Sequence, residues 1–184
     1  MTTSLSLTES NILTALRAFL LEVLPVTAPA IEVVRGQDNL VAPPAGADFL
    51  VMTPIMRERL ATNTAHTSDG FPTGPQIRTD LQPVKVTVQL DVHGPNSADY
   101  THIVTTLFRS DDGVDLIRAA GFDVAPLYHS DPRQMPFVNA EQQVEERWSI
   151  DLVLQANPIV TTSQDFAGTL KVGVIEVDAT YPPA

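Results

Sequence analysis

In VKVTVQLDVH, residues 84–93, apolar and polar side chains alternate without a break, and the main features of the fold follow from this segment. Successive side chains of a β-strand point to opposite faces, so this pattern predicts a strand with one buried face and one solvated face. A second alternating stretch, VEERWSIDLVL at residues 144–154, predicts another strand, although Glu146 falls on its apolar face. The fold is therefore expected to be built on a sheet that is covered on one side.

Apolar residues at helical spacing lie before and after the first of these strands. Ser6 and Glu9 have the Ser-x-x-Glu spacing of a capping box, an apolar stripe follows them, and Pro25 ends the predicted helix. A second helix is predicted to begin near Asn96, and a third to span about 113–120. Each helix has one apolar face, which must be buried against a sheet or another helix.

Shorter segments complete the expected fold. Their apolar or polar character predicts strands over 31–35, 49–53, 122–128 and 170–178, and a turn over 129–136. The order of elements predicts an α+β fold, with a mostly antiparallel sheet and an N-terminal helix and a central helix pair packed against it. The 184 residues show no break in composition, which predicts a single domain spanning 1–184.

Residues 57–82 differ from the rest of the chain because they are polar on both faces, around a loop rich in glycine and proline at 67–75. A two-stranded ribbon of this kind is only marginally stable alone, and it gains stability when it docks on a neighbouring chain. We therefore predict that 57–82 form a projecting arm or β-hairpin used in assembly. An ordinary surface loop is the alternative interpretation.

The charge of the chain is strongly negative. It has 22 acidic and 11 basic residues, a formal net charge of −11, and only two lysines, Lys85 and Lys171. A protein that grips DNA needs clustered lysine or arginine to neutralise phosphates, so specific DNA binding is not expected. The charge either serves solubility or lets DNA pass a surface without sticking, and composition leaves both interpretations open.

The sequence lacks the residue patterns that are typical of enzyme active sites and metal sites. The absence of cysteine excludes a disulfide framework, a cysteine-based zinc site and a thiol nucleophile. The four histidines are not spaced for a metal site on one helix, and no nucleophile-elbow or phosphate-binding glycine motif occurs. We therefore expect no enzyme activity, no catalytic residue, no cofactor and no metal. A secretory leader and an apolar run of about 20 residues are also missing, so no membrane association is expected.

A resemblance covers nearly the whole chain. The run LYHSDPRQMPFVNAEQQVEERWSIDLVLQAN at 127–157 resembles the neck-terminator family of tailed bacteriophages. Agreement in the same order extends to VRGQDN at 34–39, to residues 48–54 and 91–94, and to VDATYP at 177–182. None of these pieces is a mechanistic motif, and the specificity of the resemblance lies in its length.

The resemblance implies a structural virion protein at the tail–neck junction, made in the host bacterial cytoplasm. Proteins similar to this one cap the finished tail tube, stop its growth and offer a surface to the head-side connector or stopper. Tail terminators as a class imply a homo-oligomeric, six-fold ring through which DNA passes without specific binding. The implied partners are therefore further copies of the chain, the tail tube protein and the head-side connector.

Two other functions remain open at this point. A head-side stopper or connector, or a tail-tube subunit, would share a small α+β fold, and fold does not determine function. A small soluble enzyme or ligand-binding domain would require a deep pocket with convergent polar groups.

A closed ring requires a heterologous interface, in which one side of the subunit contacts a different side of the next. Candidate contact residues come from the polar arm and from the charged face of the second alternating strand. They are Arg57, Arg59, Asn63, Arg78, Glu145, Arg147 and Asp151.

Overall fold

The computed structural model describes residues 2–27, 29–37, 44, 46–70, 74, 76–138, 142, 144–166 and 172–173. Within them the chain forms helices and strands in an α+β order. The helices are α1 (Glu9–Val23), α2 (Ser97–Leu107) and α3 (Asp111–Ala119). The strands are β1 (Thr3–Leu5), β2 (Glu32–Arg35), β3 (Phe49–Arg59), β4 (Thr64–Ser68), β5 (Ile77–Leu81), β6 (Val84–His93), β7 (Val124–His129), β8 (Arg133–Gln134), β9 (Phe137–Val138), β10 (Val144–Glu145), β11 (Arg147–Ala156) and β12 (Ile159–Ser163).

The main sheet has the strand order β2-β3-β6-β11-β7, with β8 also paired to β11. Only β2 and β3 run parallel, and the other pairs are antiparallel. The strand predicted from residues 84–93 is confirmed as β6, at the centre of this sheet. Its even-numbered side chains, from Val84 to Val92, are all buried, as the alternation predicted.

The three helices cover the apolar face of the main sheet. Helix α2 contacts β6 and β11, while α1 packs against α2 and α3. Phe19 of α1 and Phe108, which caps the end of α2, are both fully buried. Their rings meet edge to face, with centroids 5.8 Å apart at 69°. This arrangement is one that aromatic quadrupoles favour, and it joins two helices above the sheet.

Helix α1 begins at a different residue from the one predicted. Its N-cap is Thr8, whose Oγ1 accepts a hydrogen bond from the Asn11 backbone N–H at 3.3 Å, and the Asn11 side-chain oxygen accepts from the Thr8 N–H at 2.9 Å. The Ser6 hydroxyl instead accepts from the Ile159 N–H at 2.9 Å. Ser6 therefore joins the chain before α1 to β12, a contact that spacing along the sequence could not reveal.

The second sheet, which we call the sheet extension, has the order β1-β12-β5-β4 and is entirely antiparallel. The order β4-β5-β12 repeats the order β3-β6-β11, because the central strands of the main sheet continue into it. Pro83 and Pro158 lie at this change of sheet. Proline has no N–H to donate, so the ladder is reduced to single bonds there: Leu60 N–H to Pro83 O at 2.9 Å, and Gln82 N–H to Pro158 O at 3.2 Å.

Several segments differ from the sequence-based expectations. Residues 57–59 belong to β3, so the predicted hairpin is limited to β4 and β5. The stretch 144–154 divides at Glu146 into β10 and β11, and the predicted turn at 129–136 contains β8. A separate strand, β12, was not predicted. The strand expected at 170–178 lies outside the described residues except for 172–173.

The aromatic contact between α1 and α2 supplies a stability prediction. Phe19→Ala should lower the free energy of unfolding by about 3–5 kcal/mol, because a cavity opens in the core and the edge-to-face contact is lost. Urea denaturation followed by circular dichroism measures this change. Leu21→Ala on the same helix is the control, since Leu21 is 40% exposed. Equal effects of the two substitutions would contradict the proposed packing.

Candidate assembly surface

The face of the main sheet opposite the helices carries polar side chains, and at one end these are buried. Asp91 is 6% exposed and forms an ion pair with Arg147 at 2.9 Å. The Gln89 side-chain amide donates to both carboxylate oxygens of Asp91, at 3.1 and 2.9 Å. The sequence pattern predicted a fully solvated face here. Near this end the face is instead buried: Asp91 lies opposite Ser149 on the neighbouring strand, and both residues are shielded from solvent.

His93 ends this buried polar row. Its ring stacks on Phe49 of β3, with centroids 4.5 Å apart and the planes within 7°. Burial is the main cause that lowers the pKa of His93, and the positive charge of Arg147 lowers it further, while Asp91 and Glu145 oppose the shift. The imidazole is thus held toward its neutral form at the end of the sheet.

Two of the three charged residues predicted on the second alternating strand form ion pairs within the subunit. Arg147 pairs with Asp91, and Asp151 pairs with Arg133 of β8 at 3.2 Å. Glu145 lies on β10 beyond the break at Glu146, so it does not share a strand with the other two. These contacts assign Arg147 and Asp151 a part in holding the sheet together.

A cleft of about 700 Å³ lies beside the same end of the sheet. It is lined by Phe49, Pro95, Val144, Glu145 and Glu146, among others. Its wall is mostly apolar, and the charged groups among the described residues that line it are the carboxylates of Glu145 and Glu146. Among the described residues, no group of three or more His, Asp or Glu side chains is placed to hold a metal ion.

The sheet extension is much less buried than the main sheet. None of the residues of β1, β4, β5 and β12 is buried, and all of β1 and β4 is exposed. Polar side chains in and beside this sheet bond to one another. Arg78 donates two hydrogen bonds of 2.9 Å to the Asp80 carboxylate, and the Gln82 amide donates to the Asn63 side chain at 2.8 Å. A sheet normally needs an apolar face packed against another element to be stable, and in the described part of the chain this sheet has no buried face of that kind.

One long edge continues from the main sheet into the extension. Among the described residues, β2 is the neighbour of β3 on this side and pairs with it only from Phe49 to Met52. The rest of β3 is therefore an open edge within that part of the chain, and β4 continues it. Ile55, Met56 and Leu60 expose 46–52% of their surface along this edge. The predicted Arg57 and Arg59 lie on it and are exposed.

The predicted contact residues therefore fall into two groups. Arg57 and Arg59 lie on the open edge, and Asn63 and Arg78 lie in or beside the extension. Glu145, Arg147 and Asp151 lie elsewhere, on β10 and β11. Sequence reasoning missed β1 and β12, although the alternation in TSLSL at 3–7 and the β-branched run IVTT at 159–162 carry the strand signal.

Comparison with protein families accounts for nearly all of this chain. A family model described as phage neck terminator protein matches residues 10–181, which includes every element except β1 and the start of α1. The chain belongs to the phage neck terminator family. No curated protein matches it.

As a neck terminator it is a structural phage protein, located at the neck of the virion, where it interacts with other virion components. In the part of the chain that the structure describes, no helix is long and apolar enough to cross a membrane.

The buried ion pair of this neck terminator gives a prediction about Arg147. Arg147→Met should lower the free energy of unfolding by about 3 kcal/mol, because it leaves the Asp91 carboxylate buried without its counter-charge. The double variant Asp91→Asn/Arg147→Met should recover part of that loss, measured by urea unfolding. If Arg147→Met left stability unchanged and weakened only association between subunits, Arg147 would be a contact residue rather than a support of the fold.

A second prediction concerns pH. The folded-state pKa of His93 is lowered, so its stabilising effect is complete above the unfolded-state pKa of about 6.5 and declines as pH falls below that value. His93→Phe should remove part of the acid destabilisation between pH 7.5 and 5.5 while keeping a ring beside Phe49. The control is His102→Gln on the exposed side of α2, which should leave the pH dependence as it was. An unchanged pH profile in His93→Phe would contradict this role.

Proposed function

We propose that this neck terminator assembles into a homo-oligomeric ring, six-fold as in the terminators it resembles, that ends the tail tube and joins it to the head-side connector. DNA passes through the ring without specific binding. The observation that carries the proposal is the unburied sheet extension together with the open edge of β3 and β4, in a chain whose family acts at the phage neck.

Charge on opposite sides of the subunit supports a head-to-tail association. The edge of β3 carries the exposed Arg57 and Arg59. At the opposite edge of the main sheet, α3 packs against β7 and exposes Asp111 and Asp112, while Asp115 pairs with Arg118. A heterologous interface brings such different sides together, and closure of the rotation makes a ring. Attraction between them would favour the correct orientation during encounter.

The net charge of −11 fits passage of DNA better than capture of it. Like charges repel, so an acidic lumen would keep phosphates from adhering during packaging and ejection. The abundance of acidic over basic residues leaves few groups to neutralise phosphates.

Other roles receive less support. A head-side stopper or connector, or a tail-tube subunit, would also use open sheet edges, but a tube subunit should stack into long polymers. For an enzyme or ligand-binding domain, the cleft beside Phe49 is the candidate pocket. Among the described residues, its lining has two carboxylates and no convergent set of nucleophile, base and oxyanion donors.

The oligomeric state tests the proposal directly. Light scattering and negative-stain electron microscopy of the purified chain, alone and with tail tubes, should give single rings or caps on tube ends. Long polymers of the chain would favour the tube-subunit role. A chain that stays monomeric and does not bind tail tubes would contradict the proposed function.

Charge reversal on the open edge gives a further prediction. Arg57→Glu/Arg59→Glu should abolish ring formation or tube capping, because acidic residues would then face the acidic side of the next subunit. The folded monomer should persist, since both side chains are exposed and reversal of a surface charge usually changes stability by less than about 0.5 kcal/mol. Arg57→Lys/Arg59→Lys is the control, because it keeps both positive charges at the same positions and should still assemble. Rings in the double variant would refute the role of these arginines.

A further inference from the structure

Within the described residues, the two outer strands of the sheet extension have an open edge and carry no Asp, Glu, Lys or Arg. Strand β4 reads TAHTS and β1 reads TSL, and every residue of both is exposed. Isolated proteins usually protect such edges with charge, proline or a covering element, because exposed backbone N–H and C=O groups bind further strands. Among the described residues each of these strands is paired on one side only, β4 with β5 and β1 with β12.

The backbone groups at each edge can be assigned from the hydrogen bonds on the inner side. Ser6 N–H donates to Ile159 O and Ser163 N–H donates to Thr2 O, so even-numbered residues of β1 bond to β12. Antiparallel ladders alternate between bonded and non-bonded pairs. The N–H and C=O groups of Thr3 and Leu5 therefore point outward, away from β12.

The same argument applies to β4. Gln82 N–H donates to Pro158 O and Gln164 N–H donates to Gln76 O, so even-numbered residues of β5 bond to β12. Odd-numbered residues of β5 then bond to β4, which directs Thr64, His66 and Ser68 inward. Ala65 and Thr67 are left with outward N–H and C=O groups. Each edge thus presents two residues at alternate positions, the spacing that one antiparallel junction requires.

Strand direction also fits. In an antiparallel sheet of four strands, the first and last strands run in opposite directions. When a second copy is added side by side in the same orientation, its β1 therefore runs antiparallel to β4 of the first. The junction has the same type of pairing as every strand pair within the extension.

We propose that β4 of one subunit pairs with β1 of the next copy, with Leu5 opposite Ala65 and Thr3 opposite Thr67. This register pairs all four outward-facing residues in about four backbone hydrogen bonds. It also continues the cross-strand row of Leu5, Val160, Asp80 and Ala65 into Leu5 of the next copy. A shift by two residues would leave one outward residue on each edge unpaired.

The proposed junction would also bury apolar surface of the side chains in that row. Leu5 is 50% exposed and Val160 36% exposed in the isolated subunit. Placing a further strand against β1 would bring Ala65 beside Leu5 and remove part of this apolar surface from water. The inference rests on the proposed ring, and it specifies which strands join the subunits.

The absence of cysteine from the chain makes disulfide trapping a direct test. In the proposed register Ser4 lies opposite His66 in a non-hydrogen-bonded pair, where Cα atoms are about 4.5 Å apart and a disulfide can form. Within one subunit these residues are three strand spacings apart, about 14 Å, which is too far. Ser4→Cys/His66→Cys should therefore convert most of the assembled chains into a ladder of cross-linked oligomers on a non-reducing denaturing gel.

Two register controls make the test specific. Ser4→Cys/Thr64→Cys and Ser4→Cys/Ser68→Cys place the second thiol on the same face of β4, about 7–8 Å away along the diagonal, and should remain monomeric on the gel. Cross-linking in one of these instead would overturn the register. If rings or tube caps form and none of the pairs cross-links, the strand junction is wrong while the proposed function stands. If no assembly forms under any condition, the proposed function itself fails.

A proline substitution tests the junction without a thiol. Thr67→Pro removes an outward N–H of β4 and leaves the bonds to β5, so it should abolish ring assembly while the monomer stays folded. Thr67→Val keeps the N–H and a β-branched side chain, and it should still assemble. Normal assembly of a folded Thr67→Pro protein would overturn the proposal.

Discussion

The antiparallel ladder between β6 and β11 is the interaction on which the rest of the structure depends. It runs through ten consecutive pairs, from Arg147 opposite His93 to Ala156 opposite Val84. One face of this ladder forms the floor of the helix-covered core, and the other holds the Asp91–Arg147 pair. Beyond it the same strands continue past Pro83 and Pro158 into the sheet extension. The single ladder therefore positions both the packed part and the unpacked part of the subunit.

This division explains why some charged residues support the fold while others are left for partners. Near the closed end of the sheet, burial makes polar groups costly unless they are paired, so Arg147 is bound to Asp91. Past the prolines, none of the helices that the structure describes covers the strands, and side chains such as Thr67 are exposed to water. Among the described residues the subunit thus has one closed half and one open half, and the proposed assembly rests on this difference.

The sequence predicted the main elements well where each residue's neighbours along the chain decide the outcome. The alternation in β6, the periodicity of α1 to α3 and the α+β order were confirmed. The cap at Thr8 was missed because Ser6 has the same type of hydroxyl, and only its bond to Ile159 shows where it belongs. The candidate contact residues show the same difference. The exposure of Arg57 could be predicted from the polar residues beside it in the sequence. The ion pair of Arg147 could not, because it depends on which strand lies next to β11.

The fold class, the lack of cysteine, the negative charge and the resemblance to neck terminators follow from the amino-acid sequence, and the family comparison confirmed the resemblance over residues 10–181. The pairing of β1 and β12 with the predicted hairpin in one sheet could be learned from the fold alone, because strand pairing is a contact between distant segments that no local pattern encodes. The fold also directs the backbone groups of Thr3 and Ala65 outward. That direction depends on which neighbour holds the opposite side of each strand, and so it exists only in the assembled sheet.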